Sequence, residues 1–112
     1  MQLLHHVLLL SIIASALAAI DLSLMTIDNV VAAYKSGEFT AVQLTTAYIA
    51  RINEVNAVFH SVLEINPDAL TIAAALDVET KAGKSRGPMH GIPILIKDNI
   101  ATFDKVTFSP SA

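Results

Sequence analysis

The chain has 112 residues, 54% hydrophobic and 15% charged, with a formal net charge of −3. That length holds one small domain and excludes a two-domain enzyme, and the apolar content excludes general disorder. Seven Lys and Arg against ten Asp and Glu leave no basic surface for nucleic acid, and the absence of cysteine excludes disulfides, zinc–cysteine sites and thiol chemistry.

The first element in chain order is a leader. Residues 7–20 (VLLLSIIASALAAI) are apolar or small, and no charge interrupts them before Asp21. The run is shorter than the roughly 20 residues that span a bilayer core. Ala16-Leu17-Ala18 fits the small-x-small rule for signal cleavage. A signal peptide over residues 1–19, a secreted chain and no stable membrane span are therefore expected. His5 and His6 fall inside that leader and are not read as a metal pair.

A helix entry follows. Thr26 is placed to cap it, and Asp28 sits in the first turn, where the helix dipole favours negative charge. Ile27, Val30, Val31 and Tyr34 recur at helical spacing and predict one buried face. Lys35 and Gly37 form the stop signal. Thr40-Ala41-Val42-Gln43 is a capping box that opens a second helix. Its stripe is Leu44, Tyr48, Ile52 and Val55, widened by Ala41, Val42 and Ile49, while Arg51 and Glu54 face outward as a pair. The Gly-containing turn makes a helical hairpin over residues 26–56, which also offers a surface for homodimer formation.

Residues 58–65 (VFHSVLEI) are mostly β-branched or aromatic and predict a short strand, with His60 inside it and no second ligand at metal spacing. Asn66 as cap and Pro67 in the first turn predict a third helix with Ala69, Ile72, Ala73 and Leu76 on its apolar face. Asp77, Glu79 and Lys81 read as the solvated face of that helix, and Gly83 ends it. Residues 84–91 form a loop, and residues 92–96 predict a strand apolar on both faces.

The stretch with chemical content is GPMHGIPILIKDN, residues 87–99. Gly87 and Gly91 bracket a tight loop where the backbone needs positive φ or close approach. Lys97 follows directly on the apolar run, where loss of solvent favours the neutral amine, the form that acts as a general base. Asp98 and Asn99 are candidates for positioning it. The same three residues also suit a solvated turn with an ordinary surface charge.

This stretch resembles the entry segment of the amidase signature family, whose members hydrolyse amide carbon–nitrogen bonds. The family pattern is G-P-L-H-G-x-P-x-x-x-K-D-N, and Met89 stands here at the usual leucine. KSGEFTAVQL, AYIARINEVN and VLEINPDAL upstream, and ATFDK downstream, are similar as well, so the resemblance runs over residues 24–105. It implies an α/β arrangement: the N-terminal part of the amidase signature fold, with helical hairpin, strand, helix and first inner strand, in incomplete form. It also implies a Ser–cis-Ser–Lys triad, a small-molecule amide substrate, no metal and no cofactor. Lys97 alone matches a triad member, as the general base. Gly87, His90 and Gly91 belong to the motif loop, with His90 in a structural hydrogen-bonding role.

Both serines of the family lie in a downstream Gly-Ser-rich segment, and Ser109 and Ser111 have no such context. Residues 20–105 are thus expected to be the N-terminal part of an amidase domain. Residues 106–112 depart from the family and are expected to be a disordered tail. A truncated, inactive fragment or a helical interaction module is the competing reading, and a small secreted binding protein a third. In so short a chain Ile94, Leu95 and Ile96 are expected to stay partly exposed, with Lys97 solvated and the helical hairpin best formed.

Overall fold

Among the residues that the computed structural model describes, 19–106, three α-helices form: α1 (Ile27–Ser36), α2 (Ala41–Phe59) and α3 (Ala69–Lys81). Leader residues 1–18 and tail residues 107–112 lie outside the described residues. Both starts in the hairpin are built as their sequences imply. Thr26 accepts from Asn29 N–H at 3.1 Å while Asn29 Oδ1 accepts from Thr26 N–H at 3.0 Å. Thr40 and Gln43 repeat that exchange at 3.2 and 2.9 Å. Each box satisfies amide groups that the first helical turn leaves without a partner. α1 stops at Gly37, whose φ of 72° is left-handed and open to glycine at no steric cost.

The core lies where α1, its exit turn and α2 meet. Val30, Ala33, Phe39 and Leu44 are buried, with Ile20, Leu22, Met25, Tyr34, Tyr48 and Ile92 packed around them. Leu44 is wholly enclosed, and burying such a side chain stabilises the fold by about 1.5–3 kcal/mol. The Tyr34 ring meets Phe39 edge to face at 5.6 Å and 82°. Ile27 does not join this face as its spacing suggested: it stands half exposed at the start of α1, and Ala33 is buried instead.

α3 packs on α2, burying Ala73. The start of α3 corrects the expected cap. Asp68, not Asn66, occupies the N-cap position, without a side-chain cap bond. Asn66 Oδ1 instead accepts from Asp68 N–H at 2.8 Å, a side-chain-closed turn one step upstream.

No β-strand forms among the described residues, so neither expected strand is present. Val58 and Phe59 finish α2, and His60 closes it in a left-handed conformation (φ 49°), with its N–H donating to Asn56 carbonyl at 2.9 Å. The next residues find a side chain where a strand partner would stand. Asn56 Nδ2 donates to Val62 carbonyl at 2.7 Å, and its Oδ1 accepts from Val62 N–H at 2.9 Å. One amide thereby satisfies both backbone groups of Val62. Residues 92–97 run without regular structure, because no other strand lies beside them among the described residues.

Candidate functional site

The motif loop is anchored from three sides. His90 is buried, its side chain only 4% exposed. Its Nδ1 accepts from Arg86 N–H at 3.2 Å, which assigns the ring proton to Nε2. Nε2 then faces Leu76 carbonyl at 3.0 Å and Thr80 Oγ1 at 3.1 Å, one helical turn apart on α3. This is the structural hydrogen-bonding role read for His90. Gly91 follows at φ 74°, and a Cβ there would lie 3.0 Å from Ala41 Cβ and 3.1 Å from Tyr34 Cε2. Both the backbone conformation and the space therefore require glycine. Tyr34 hydroxyl donates to Gly91 carbonyl at 2.7 Å. Burial, with Asp77 and Tyr48 nearby, pushes that phenol up to about 12, so it remains a donor at ordinary pH.

The outer side of the loop is closed by charge. Arg86 grips Glu79 with Nε to Oε2 at 2.7 Å and Nη2 to Oε1. These hydrogen bonds hold the Glu79 carboxyl below the usual carboxylate range and raise the Arg86 guanidinium. Asp77 corrects its reading as a solvated residue. Its carboxylate reaches from α3 to the start of α2 and accepts from Ala41 N–H at 2.7 Å and Val42 N–H at 3.1 Å. A negative group at a helix N-terminus is favoured by the dipole and by the free amides.

Beyond Gly91 the chain rises off the helices. Ile92 still packs on the core, but Ile94, Leu95 and Ile96 are exposed at 64, 75 and 48%, as expected for a strand sequence without sheet neighbours. Lys97 is exposed on the same segment, and Asp98 and Asn99 lie exposed in the turn that Ile100 N–H closes onto Lys97 carbonyl at 2.9 Å. Among the described residues, no hydrogen bond joins Asp98 or Asn99 to the Lys97 amine. Lys105 returns the chain to α3 by pairing with Asp68 at 2.9 Å. Gly87 lies in the loop between Arg86 and His90, and its carbonyl accepts from His90 N–H at 3.0 Å.

Lys97 thus sits on an arch over an apolar groove of about 910 Å³ whose walls include Leu63, Ile72, Ile96 and Ile100. A larger groove, about 1560 Å³, runs between residues 19–25 and α1–α2, with no lysine or histidine in its lining. Among the described residues, no cluster of three or more His, Asp or Glu is arranged to hold a metal ion. No described helix is long and apolar enough to cross a membrane.

Tyr34, Thr80, Asp77 and the Glu79–Arg86 pair were not singled out from sequence as parts of this site. The signal for Thr80 was its place four residues after Leu76, on one helical face. Nothing local marks Tyr34, whose partner lies 57 residues away.

The family model described as Amidase matches residues 43–110, more than half of the chain. A "Putative amidase" of Arthroderma benhamiae is 53% identical over 74 residues, covering 66% of this chain and 12% of that protein. A second putative amidase, of Schizosaccharomyces pombe, is 43% identical over 81 residues, covering 72% and 14%. Among solved structures, the native peptide amidase of Stenotrophomonas maltophilia superposes with a TM-score of 0.70 at 39% identity, over 72% of this chain and 17% of that one. The chain spans between 12 and 17% of the length of these relatives.

Proposed function

The chain belongs to the amidase family, and on that premise we propose that it is the amino-terminal part of a hydrolase of amide carbon–nitrogen bonds, with Lys97 as general base. The observation that carries this reading is the placement of Lys97: past a loop anchored to α1 and α3, at the end of an exposed apolar segment whose sequence suits a strand. In a complete enzyme of this kind the lysine amine would take a proton through a middle serine from a nucleophilic serine. The serine oxygen would attack the amide carbonyl, and the tetrahedral oxyanion would be held by backbone amides. As the carbon–nitrogen bond breaks, the leaving amine would take that proton. Water, deprotonated through the same relay, would then cleave the acyl ester to release the acid and return the proton to the serine. Both serines would come from sequence beyond these 112 residues.

Burial of residues 92–96 by neighbouring strands would supply the α/β character and remove solvent from Lys97, favouring its neutral form. Asp98 and Asn99 would then position the amine. The leader and a secreted destination belong to the same proposal. An N-terminus beginning near Ala19 on chain exported by a secreting host supports them, and an intact Met1 overturns them.

Segment exchange tests the catalytic reading. Residues 24–105 replace the matching segment of the Stenotrophomonas maltophilia peptide amidase, and hydrolysis of a peptide amide is followed. The chimera is expected to be active and to lose at least about 10³-fold in kcat on Lys97→Met. A folded but inactive chimera, or full activity after Lys97→Met, overturns the reading. The 112-residue polypeptide alone is expected to be inactive, since it presents Lys97 without a nucleophile to activate.

A further inference from the structure

The lysine-bearing segment is fixed at its root and almost nowhere else before the turn at Lys97. From residue 94 to residue 97 no backbone N–H has a hydrogen-bond acceptor among the described residues, and Pro93 has no N–H to donate. What sets the direction of that segment therefore acts at its root, at Gly91 and at Ile92, which packs on the core. A glycine at φ 74° is the residue least able to set its own direction, because it lacks the side chain that would restrict ψ.

The Tyr34 hydroxyl bond fills that role. It falls on the Gly91 carbonyl, in the peptide plane that starts the segment, so it fixes ψ at the departure point. The His90 contacts grip the loop one residue earlier. The plane's other group, Ile92 N–H, donates within the loop to Met89 carbonyl at 3.2 Å, so the Tyr34 bond is the one that ties this plane to a helix. The ring that carries the hydroxyl is itself held, edge to face against Phe39. Ala41 stands against the same face of Gly91 as the Tyr34 ring, and its amide is held by Asp77.

We propose that Tyr34 is a positioning residue for Lys97: its hydroxyl fixes the direction in which the lysine-bearing segment leaves the helical layer. The link to catalysis rests on the reading of Lys97 as general base; the fixing of the segment does not. The lever is long. Six residues at about 3.3 Å each let Lys97 stand up to roughly 20 Å from the pivot. At that reach a tilt of about 10° at Gly91 moves Lys97 by up to about 3.5 Å, where a misplacement of about 1 Å already costs catalysis heavily.

The test uses the whole 112-residue chain, labelled with nitrogen-15, and Tyr34→Phe, which keeps the ring and removes only the hydroxyl. Residual dipolar couplings of the amides report orientation. In the unsubstituted chain the couplings of Gly91, Ile92 and Ile94 are expected to fit the same alignment tensor as α1, α2 and α3. In Tyr34→Phe they are expected to lose magnitude while those of the helices stay unchanged. Unchanged couplings over residues 91–96 overturn the proposal, and so does an equal loss in the helices, which would mark general loosening. Should the variant not fold, the unsubstituted chain still decides: residues 91–94 that fail to share the helical tensor overturn the proposal. In the chimera, Tyr34→Phe is expected to lower kcat about tenfold with KM unchanged. If the couplings behave as stated but Lys97→Met leaves the chimera active, the segment is fixed by Tyr34 and only the assignment of the base falls.

Discussion

Leu44 and Leu95 are the same residue in two regions that meet opposite fates. Leu44, on capped helix α2, is wholly buried, while Leu95, on the segment after Gly91, is 75% exposed. The helical layer closes its core from residues near in sequence: Val30, Ala33, Phe39 and Leu44 span α1, one turn and the start of α2. The segment has an equally apolar sequence, but it can be covered only by strands beside it, and none stands there among the described residues. Apolar pattern therefore decides burial only where the partners are at hand.

The largest effect follows from that contrast. Leu44→Ala is expected to cost about 3 kcal/mol in urea unfolding, from lost burial plus a cavity. Leu95→Ala is expected to stay within about 0.5 kcal/mol, because it removes little that is out of water. A cost for Leu95→Ala near that of Leu44→Ala would mean that the segment closes its own core in solution, and the contrast would be wrong.

What was legible in the sequence divides along the same line. Thr26 and Thr40 were readable as caps because the partner of each, Asn29 or Gln43, lies three residues away. His90 was readable as structural from the loop motif. Residues 58–65 were misread as a strand: their β-branched side chains suit one, but α2 continues through Phe59 and Asn56 takes both backbone groups of Val62. Asp77 was misread as solvated because its partners, Ala41 and Val42 N–H, lie 36 and 35 residues away. The Tyr34–Gly91 bond was invisible for the same reason. Local chemistry could be read from one sequence, and pairings across the fold could not.

Asp77 carries the contrast between near and distant partners into the helical layer itself. It adds a long-range cap to a helix that already has a local one. Asp77→Ala is expected to cost about 1–2 kcal/mol, since two amides at a helix start lose a charged acceptor. Thr40→Ala is expected to cost about 1 kcal/mol, through the N-cap bond to Gln43 N–H alone. Thermal unfolding of both variants gives the order. A Thr40→Ala cost above that of Asp77→Ala would show that the local cap dominates the start of α2 and that α3 contributes little there.

The smallest effect belongs to the ion pair at the outer side of the motif loop. Arg86 holds the Glu79 carboxyl below its ordinary value of 4.5, first through the side-chain hydrogen bond and then by charge. A carboxyl group lowered on folding binds fewer protons in the folded chain than in the unfolded one, so the pair stabilises the fold above the unfolded value. That contribution is expected to be constant between pH 7 and about pH 5, and to be lost as the pH falls from the unfolded value through the lowered one. Asp21, also lowered, by its hydrogen bonds from Ser23, contributes with the same sign. Comparing the native chain with Glu79→Gln at each pH cancels Asp21 and leaves the pair. Because both side chains reach solvent, the difference is expected to shrink in 1 M salt as well as in acid. A difference that grows as the pH falls, or one indifferent to salt, would place the stabilising effect of Glu79 elsewhere than in its pairing with Arg86. The loop would then owe its closure to His90 and Tyr34 alone.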